Sequence, residues 1–116
     1  MIDAVPVSLS ANEQAENAWA AVWRVIAELE GVSVEEKKSC LHVCAGGGAF
    51  LGVHPRKNGV RLNIVLDRTL EGPRVARSEA VSKRRFHNEV DLAAGDQVDG
   101  ELAGWISEAH RFRISG

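Results

Sequence analysis

Three apolar runs lie between Cys40 and Asp67, separated by Gly46-Gly47-Gly48 and Asn58-Gly59. Short apolar runs punctuated by glycine and Asn-Gly turns predict an antiparallel β-meander. Side chains alternate between the two faces of a strand, so the turns can be tested against one another. In Val60–Asp67 the apolar Val60, Leu62, Ile64 and Leu66 alternate with Arg61, Asn63, Val65 and Asp67, which makes the even positions the core face. A two-residue Asn58-Gly59 loop sets Leu51 opposite Leu66, and a four-residue loop from Arg56 to Gly59 shifts the pairing while keeping the same faces together. A three-residue glycine loop sets Val43 opposite Leu51 and Leu41 opposite Val53, whereas a two-residue loop would carry His42 into the core. The second face then holds Cys40, His42, Cys44, Phe50, His54, Arg61 and Asn63, joined by Arg56 if the shorter Asn58-Gly59 loop forms.

Helices flank this sheet. Ser10 and Glu13 have capping-box spacing. Ala15, Trp19, Val22, Trp23, Ile26 and Leu29 then recur at helical intervals, predicting a helix from about Ala11 to Leu29, stopped at Gly31. The two tryptophans read as core packing. Val32–Lys38 reads as a short charged edge strand. Its Glu35-Glu36-Lys37-Lys38 repeats an acid-x-lysine pattern of some nucleases, but a solvated edge accounts for it more simply. Arg68–Arg85 reads as a basic loop with one helical turn near Ser78–Ser82. Phe86–Leu92 alternates and predicts a further strand. Asp96 or Asp99 caps a closing helix over roughly Gly100–Phe112, whose apolar stripe is Leu102, Trp105, Ile106, Ala109 and Phe112. His110 is placed in that helix's last turn, where a cation suits the dipole. The fold class is α+β: a mainly antiparallel sheet of four or five strands with an N-terminal and a C-terminal helix packed on it. Residues 1–10 form a tail and 11–113 a single domain.

The length of 116 residues fits one domain. No apolar run approaches the roughly 20 residues of a membrane span. The first ten residues lack a signal-peptide pattern. Cys40 and Cys44 share a strand about 13 Å apart and cannot bridge each other. A reduced, cytoplasmic protein is the expectation. The net charge of −2 is unevenly spread: residues 1–53 sum to −4, residues 54–87 to +6, and residues 88–116 to −4.

That basic middle carries the first candidate chemistry. His54, Arg56, Lys57 and Arg61 gather at a hairpin tip, with Asn63 on the same face. In the shorter register Arg56 and Arg61 face each other, an arrangement that repels unless an anion such as phosphate lies between the guanidinium groups. Lys83, Arg84, Arg85 and His87 extend the patch if the following loop folds back. The competing explanation is that basic residues keep a hairpin tip soluble. A second candidate is a zinc site from Cys40, His42 and His54, set against small apolar cysteines and packed histidines. No serine elbow or phosphate-binding glycine loop is present, and no cofactor motif is found.

The segments Lys38–Val43, Phe50–Leu62 (with His54-Pro55-Arg56-Lys57), Phe86–Val90 and Val98–Ala109 resemble the bacterial domain-of-unknown-function family numbered 5655. The resemblance runs from about Asn12 to Phe112. It implies the fold and brings His54, Arg56, Lys57, Arg61 and His87 forward as polar motif positions. It implies no activity, although the family's domains also occur beside other modules, including nuclease-associated ones. Cys40 and Cys44 stand outside its pattern. The strand-turn-helix ending has a weaker likeness to MmcQ/YjbR-type proteins, which implies DNA binding by analogy alone. The expected function is a non-enzymatic binding module whose basic hairpin and loop engage an anionic partner, nucleic acid or a phosphate group. The alternatives are a protein-interaction or homodimerisation domain, and a metal-dependent or hydrolytic enzyme using Cys40, His42 and His54.

Overall fold

A computed structural model describes residues 12–93 and 98–115. The tail, Ser10 and Asp96 lie outside the described residues. Helix α1 spans Glu13–Ile26; the strands are β1 Ser33–Glu36, β2 Leu41–Ala45, β3 Gly48–Arg56, β4 Gly59–Leu66, β5 Val75–Ser82 and β6 Arg85–Ala93; helix α2 spans Gly100–Ser115. The strands form one antiparallel sheet in the order β1-β2-β3-β4-β6-β5. No described helix is long and apolar enough to cross a membrane.

The α+β class and both helices are as the sequence predicts, but among the described residues the sheet has six strands. The additional strand is β5, where a basic loop with a helical turn was expected. Its residues Val75–Ser82 are mostly exposed, because an edge strand has one neighbour and little to bury. The charged and small residues that mask a strand in the sequence are those an edge tolerates.

Parity holds throughout β4. Leu62, Ile64 and Leu66 are completely buried, while Arg61 and Asn63 keep partial exposure on the other face. The core face packs Leu41, Val43, Leu51 and Val53 against Trp19, Val22 and Ile26 of α1 and against Leu102, Trp105 and Ile106 of α2. Each buried aliphatic side chain contributes roughly 1.5–3 kcal/mol relative to exposure. Burial on this face therefore fixes which way the strands turn.

The turns reach that parity by routes other than those expected. Gly46 and Gly47 form a two-residue turn with φ of 58° and 88°, a conformation glycine adopts without steric cost. The pairing is nevertheless Val43 with Leu51 and Leu41 with Val53, because a bulge inserts Phe50 opposite the Val43–Cys44 step. His42 thus stays out of the core. The same bulge turns Phe50 off the polar face and buries it completely, with its ring edge-on to His110 at 5.4 Å. The next turn is Lys57-Asn58, and Gly59 begins β4 opposite Arg56. Leu51 pairs with Ile64, the register foreseen for the longer loop. The Asn12 side chain holds this tip from outside, donating from Nδ2 to the Arg56 carbonyl at 2.8 Å.

Asn12 also caps α1, its Oδ1 accepting from the Ala15 amide at 3.0 Å. The cap is therefore Asn12, and α1 ends at Ile26, three residues before Leu29. Asp99 caps α2 as expected, accepting from the Leu102 amide at 2.9 Å. Helix α2 continues to Ser115, so His110 lies a turn inside it. His110 is buried, with Nε2 2.7 Å from the Glu30 carbonyl, and it ties α2 to the turn after α1.

The crossover from β4 to β5 is fastened at Asn88 of β6, which is fully buried on the core face. Its Nδ2 donates to the carbonyls of Ile64 at 3.2 Å and Arg68 at 3.1 Å. Its Oδ1 accepts from the Leu70 amide at 2.9 Å and the Ser78 hydroxyl at 2.6 Å. A buried amide with all its bonds made is tolerable in a core, and it specifies one position for the loop. Arg68 and Arg74 add two-pronged pairs to Glu108 and Asp99 of the α2 region.

Candidate functional site

Both helices lie on the core face, so among the described residues no helix covers the opposite face of the sheet. Across it, register places His42 beside Gly52, Gly52 beside Asn63, and Asn63 beside Glu89. One step toward the glycine turn, Val65 lies beside His87. Gly52 has no side chain to fill the row: a Cβ there would meet Asn63 at 3.3 Å and His54 Nε2 at 3.4 Å. A depression of about 270 Å³ results, lined by His42, His54, Asn63, Arg85, His87 and Arg113 over a floor of Gly48, Ala49, Leu51, Gly52 and Val65. Among the described residues its polar walls are two arginines, three histidines and an asparagine, with no carboxylate.

Arg113 is the wall that the sequence did not suggest. It occupies the last turn of α2, and its side chain crosses the end of the sheet to lie over Gly48. A Cβ built at Gly48 would stand 2.1 Å from Arg113 Nη2, so the guanidinium fits there because residue 48 is glycine. Its Nε is buried and, among the described residues, has no hydrogen-bond partner. Asn63 Oδ1 is likewise buried without a partner among the described residues, while Asn63 Nδ2 lies 3.2 Å from His87 Nδ1. A polar atom in such a position gives up its hydrogen bonding to water on folding, and one left without a partner costs about 1–3 kcal/mol.

His54 is held below the ordinary imidazole value, first by burial and then by the positive fields of His42, Arg56 and Arg61, with Glu89 opposing. Its imidazole is therefore mainly neutral near pH 7. An incoming negative charge would reverse that balance.

The predicted anion site is divided by the fold. His54, Asn63, Arg85 and His87 come together in the groove, joined by His42 and Arg113. Arg56, Lys57 and Arg61 line a separate depression at the other end of β3 and β4 with Asp91. Arg56 does not face Arg61, since His54 takes that place in the register. Arg61 instead forms a two-pronged pair with Asp91 at 2.7 and 3.0 Å and reaches Glu89 at 3.4 Å. That pairing lowers the Asp91 carboxyl below its ordinary range and removes the charge that was expected to call for an anion. Lys83 and Arg84 form the β5–β6 turn. Antiparallel pairing of β4 with β6 sets that turn at the end away from Arg56 and Lys57, about 24 Å along β4 at roughly 3.4 Å per residue.

The cysteine and histidine alternative is not assembled. Cys40 precedes β2 and lines neither depression, whereas Cys44 lines a neighbouring one with His42 and Glu35. Burial and then Glu35 raise the Cys44 thiol above its ordinary value, which disfavours a thiolate ligand or nucleophile. Among the described residues no three of His, Cys, Asp or Glu are grouped to hold a metal ion.

A six-stranded sheet with both helices on one face and a cationic groove on the other defines a small two-layer α+β domain. Residues 9–113 match the family described as a domain of unknown function, DUF5655, and the chain belongs to that family. No significant match was found among curated proteins or solved structures.

Proposed function

We propose that this protein is a binding module for an anionic ligand, and that the groove receives a phosphate-type group. The composition of the walls carries this reading: Arg85, Arg113, His42, His54, His87 and Asn63 converge on one depression that, among the described residues, no carboxylate lines. The guanidinium groups offer paired N–H donors to oxyanion oxygens. The buried Arg113 Nε supplies a donor already withdrawn from water. Lys83 and Arg84 flank the same end of the sheet and, among the described residues, make no ion pair, so they favour the approach of negative charge.

A long nucleic-acid backbone fits this surface less well than a compact ligand. The two basic turns lie at opposite ends of the sheet, and Glu89 and Asp91 stand between them on the same face. Of the two anionic partners expected, nucleic acid or a phosphate group, the compact phosphate-type ligand is therefore the reading adopted. The test is titration with inorganic phosphate while following the imidazole signals of His42, His54 and His87 by NMR. Saturable shifts of all three, weakened at least about tenfold by Arg113→Ala or Arg85→Ala, support the proposal. Unmoved imidazole signals at millimolar phosphate would exclude it.

A further inference from the structure

The outer strand β5 reads Val75-Ala76-Arg77-Ser78-Glu79-Ala80-Val81, a sequence that is its own mirror about Ser78 once arginine is matched with glutamate. It is the last strand of the sheet and, among the described residues, has β6 as its one strand neighbour. Arg77, Glu79, Ala80 and Val81 are exposed, and Val81 is, among the described residues, one of two large hydrophobic side chains in that state, at 47%. The edge contains neither proline nor lysine between Val75 and Val81, two of the residues that commonly protect such a strand.

We infer that β5 is a self-pairing edge, which joins a second copy of this chain antiparallel about a two-fold axis at Ser78 and makes one sheet continuous across both copies. A two-fold contact requires a surface complementary to itself. With Ser78 on the axis, Arg77 lies opposite Glu79 of the second copy within the regular stretch of the strand. Sliding by two residues either way sets Arg77 against Arg77 or Glu79 against Glu79, and directly opposed like charges are unfavourable. The charge pattern thus selects one register. Arg77 and Glu79 pair with Glu89 and His87 of β6, so they lie on the helix-free face. Within one chain they form an ion pair at 2.7 Å that leaves both side chains more than half exposed, and each can exchange to the other copy. Irregularities at Ala76 and Val81 leave Arg77–Ala80 as the regular stretch, which is where the pairing is centred.

Pairing in this sense preserves the faces of the sheet, so both helical layers lie on one side and both cationic grooves on the other. The inference does not depend on what the grooves bind.

The test is sedimentation equilibrium over a wide concentration range, without phosphate, on the wild type, Arg77→Glu, Glu79→Arg and the double exchange. Circular dichroism confirms that each exposed substitution leaves the fold in place. A concentration-dependent dimer is expected, weakened by about tenfold or more in each single variant. The double exchange restores the opposite-charge pairs and should recover the wild-type constant. A wild type that stays monomeric overturns the inference, whether or not another protein binds the edge. So does a dimer indifferent to the single changes, or one that the double exchange fails to restore.

Discussion

Arg113 lies over Gly48, its Nη2 2.1 Å from where a Cβ would be. The last turn of α2 and the first residue of β3 thereby share one volume, and that volume is a wall of the groove. Gly48→Ala should displace the guanidinium, which is the movable end of a long side chain. Gly48 has no positive φ, so the backbone accepts alanine without strain. Stability is expected to change by less than about 1 kcal/mol, while phosphate affinity falls to that of Arg113→Ala. Thermal melts and phosphate titration of the two variants check this; full affinity in Gly48→Ala would remove Arg113 from the ligand's contacts.

Asn88→Ala leaves the Leu70 amide and the carbonyls of Ile64 and Arg68 without their side-chain partner inside the protein. The expected loss is about 2–4 kcal/mol, measured by urea unfolding. The crossover 67–74 should also lose hydrogen-exchange protection. A loss below about 1 kcal/mol would show that water replaces the amide.

The depressed titration of His54 gives a pH dependence with a definite sign. The native state binds fewer protons at this site than the unfolded chain, so its contribution to stability is complete above the unfolded value of about 6.5 and declines as pH falls through that value toward the folded one. His54→Asn should flatten the pH slope of stability below about 6.5. An NMR titration should place the His54 midpoint below that of a free histidine, and bound phosphate should raise it. A midpoint above 6.5 in the free protein would contradict the burial argument.

Arg56 stands eight residues along β3 from Gly48, about 27 Å at roughly 3.4 Å per residue. That distance exceeds the screening length of about 8 Å at physiological salt. Arg56→Glu and Lys57→Glu should therefore leave the direct phosphate contacts at the Arg113 end in place, Arg56→Glu acting only through the field it exerts on His54, so that affinity changes little beside the loss in Arg85→Glu. Calorimetry on the three variants distinguishes the two ends. A large loss in Arg56→Glu would move the site to the β3–β4 turn.

The alternation in Val60–Leu66 was enough to orient the sheet, because burying Leu62 and Ile64 leaves Arg61 and Asn63 one possible side. It could not reveal how the chain kept that parity. Phe50 looks like a residue of the polar face until the bulge opposite Val43–Cys44 turns it inward. Strand β5 was hidden because Arg77, Ser78 and Glu79 carry no apolar period; pairing with β6 makes it a strand. The groove was half legible. His54, Asn63, Arg85 and His87 were candidates from charge and position. Arg113 resembles any cation at a helix end, and only the absent side chain of Gly48, more than sixty residues earlier, gives it a place.

Because α1 and α2 cover a single side of the sheet, each central strand serves two masters at alternate residues. In β4, Leu62 and Ile64 answer to folding, while Asn63 on the other face lines the groove. Ligand preference can therefore be rewritten at every second position without disturbing what keeps the molecule intact. Such a scaffold separates invention from survival.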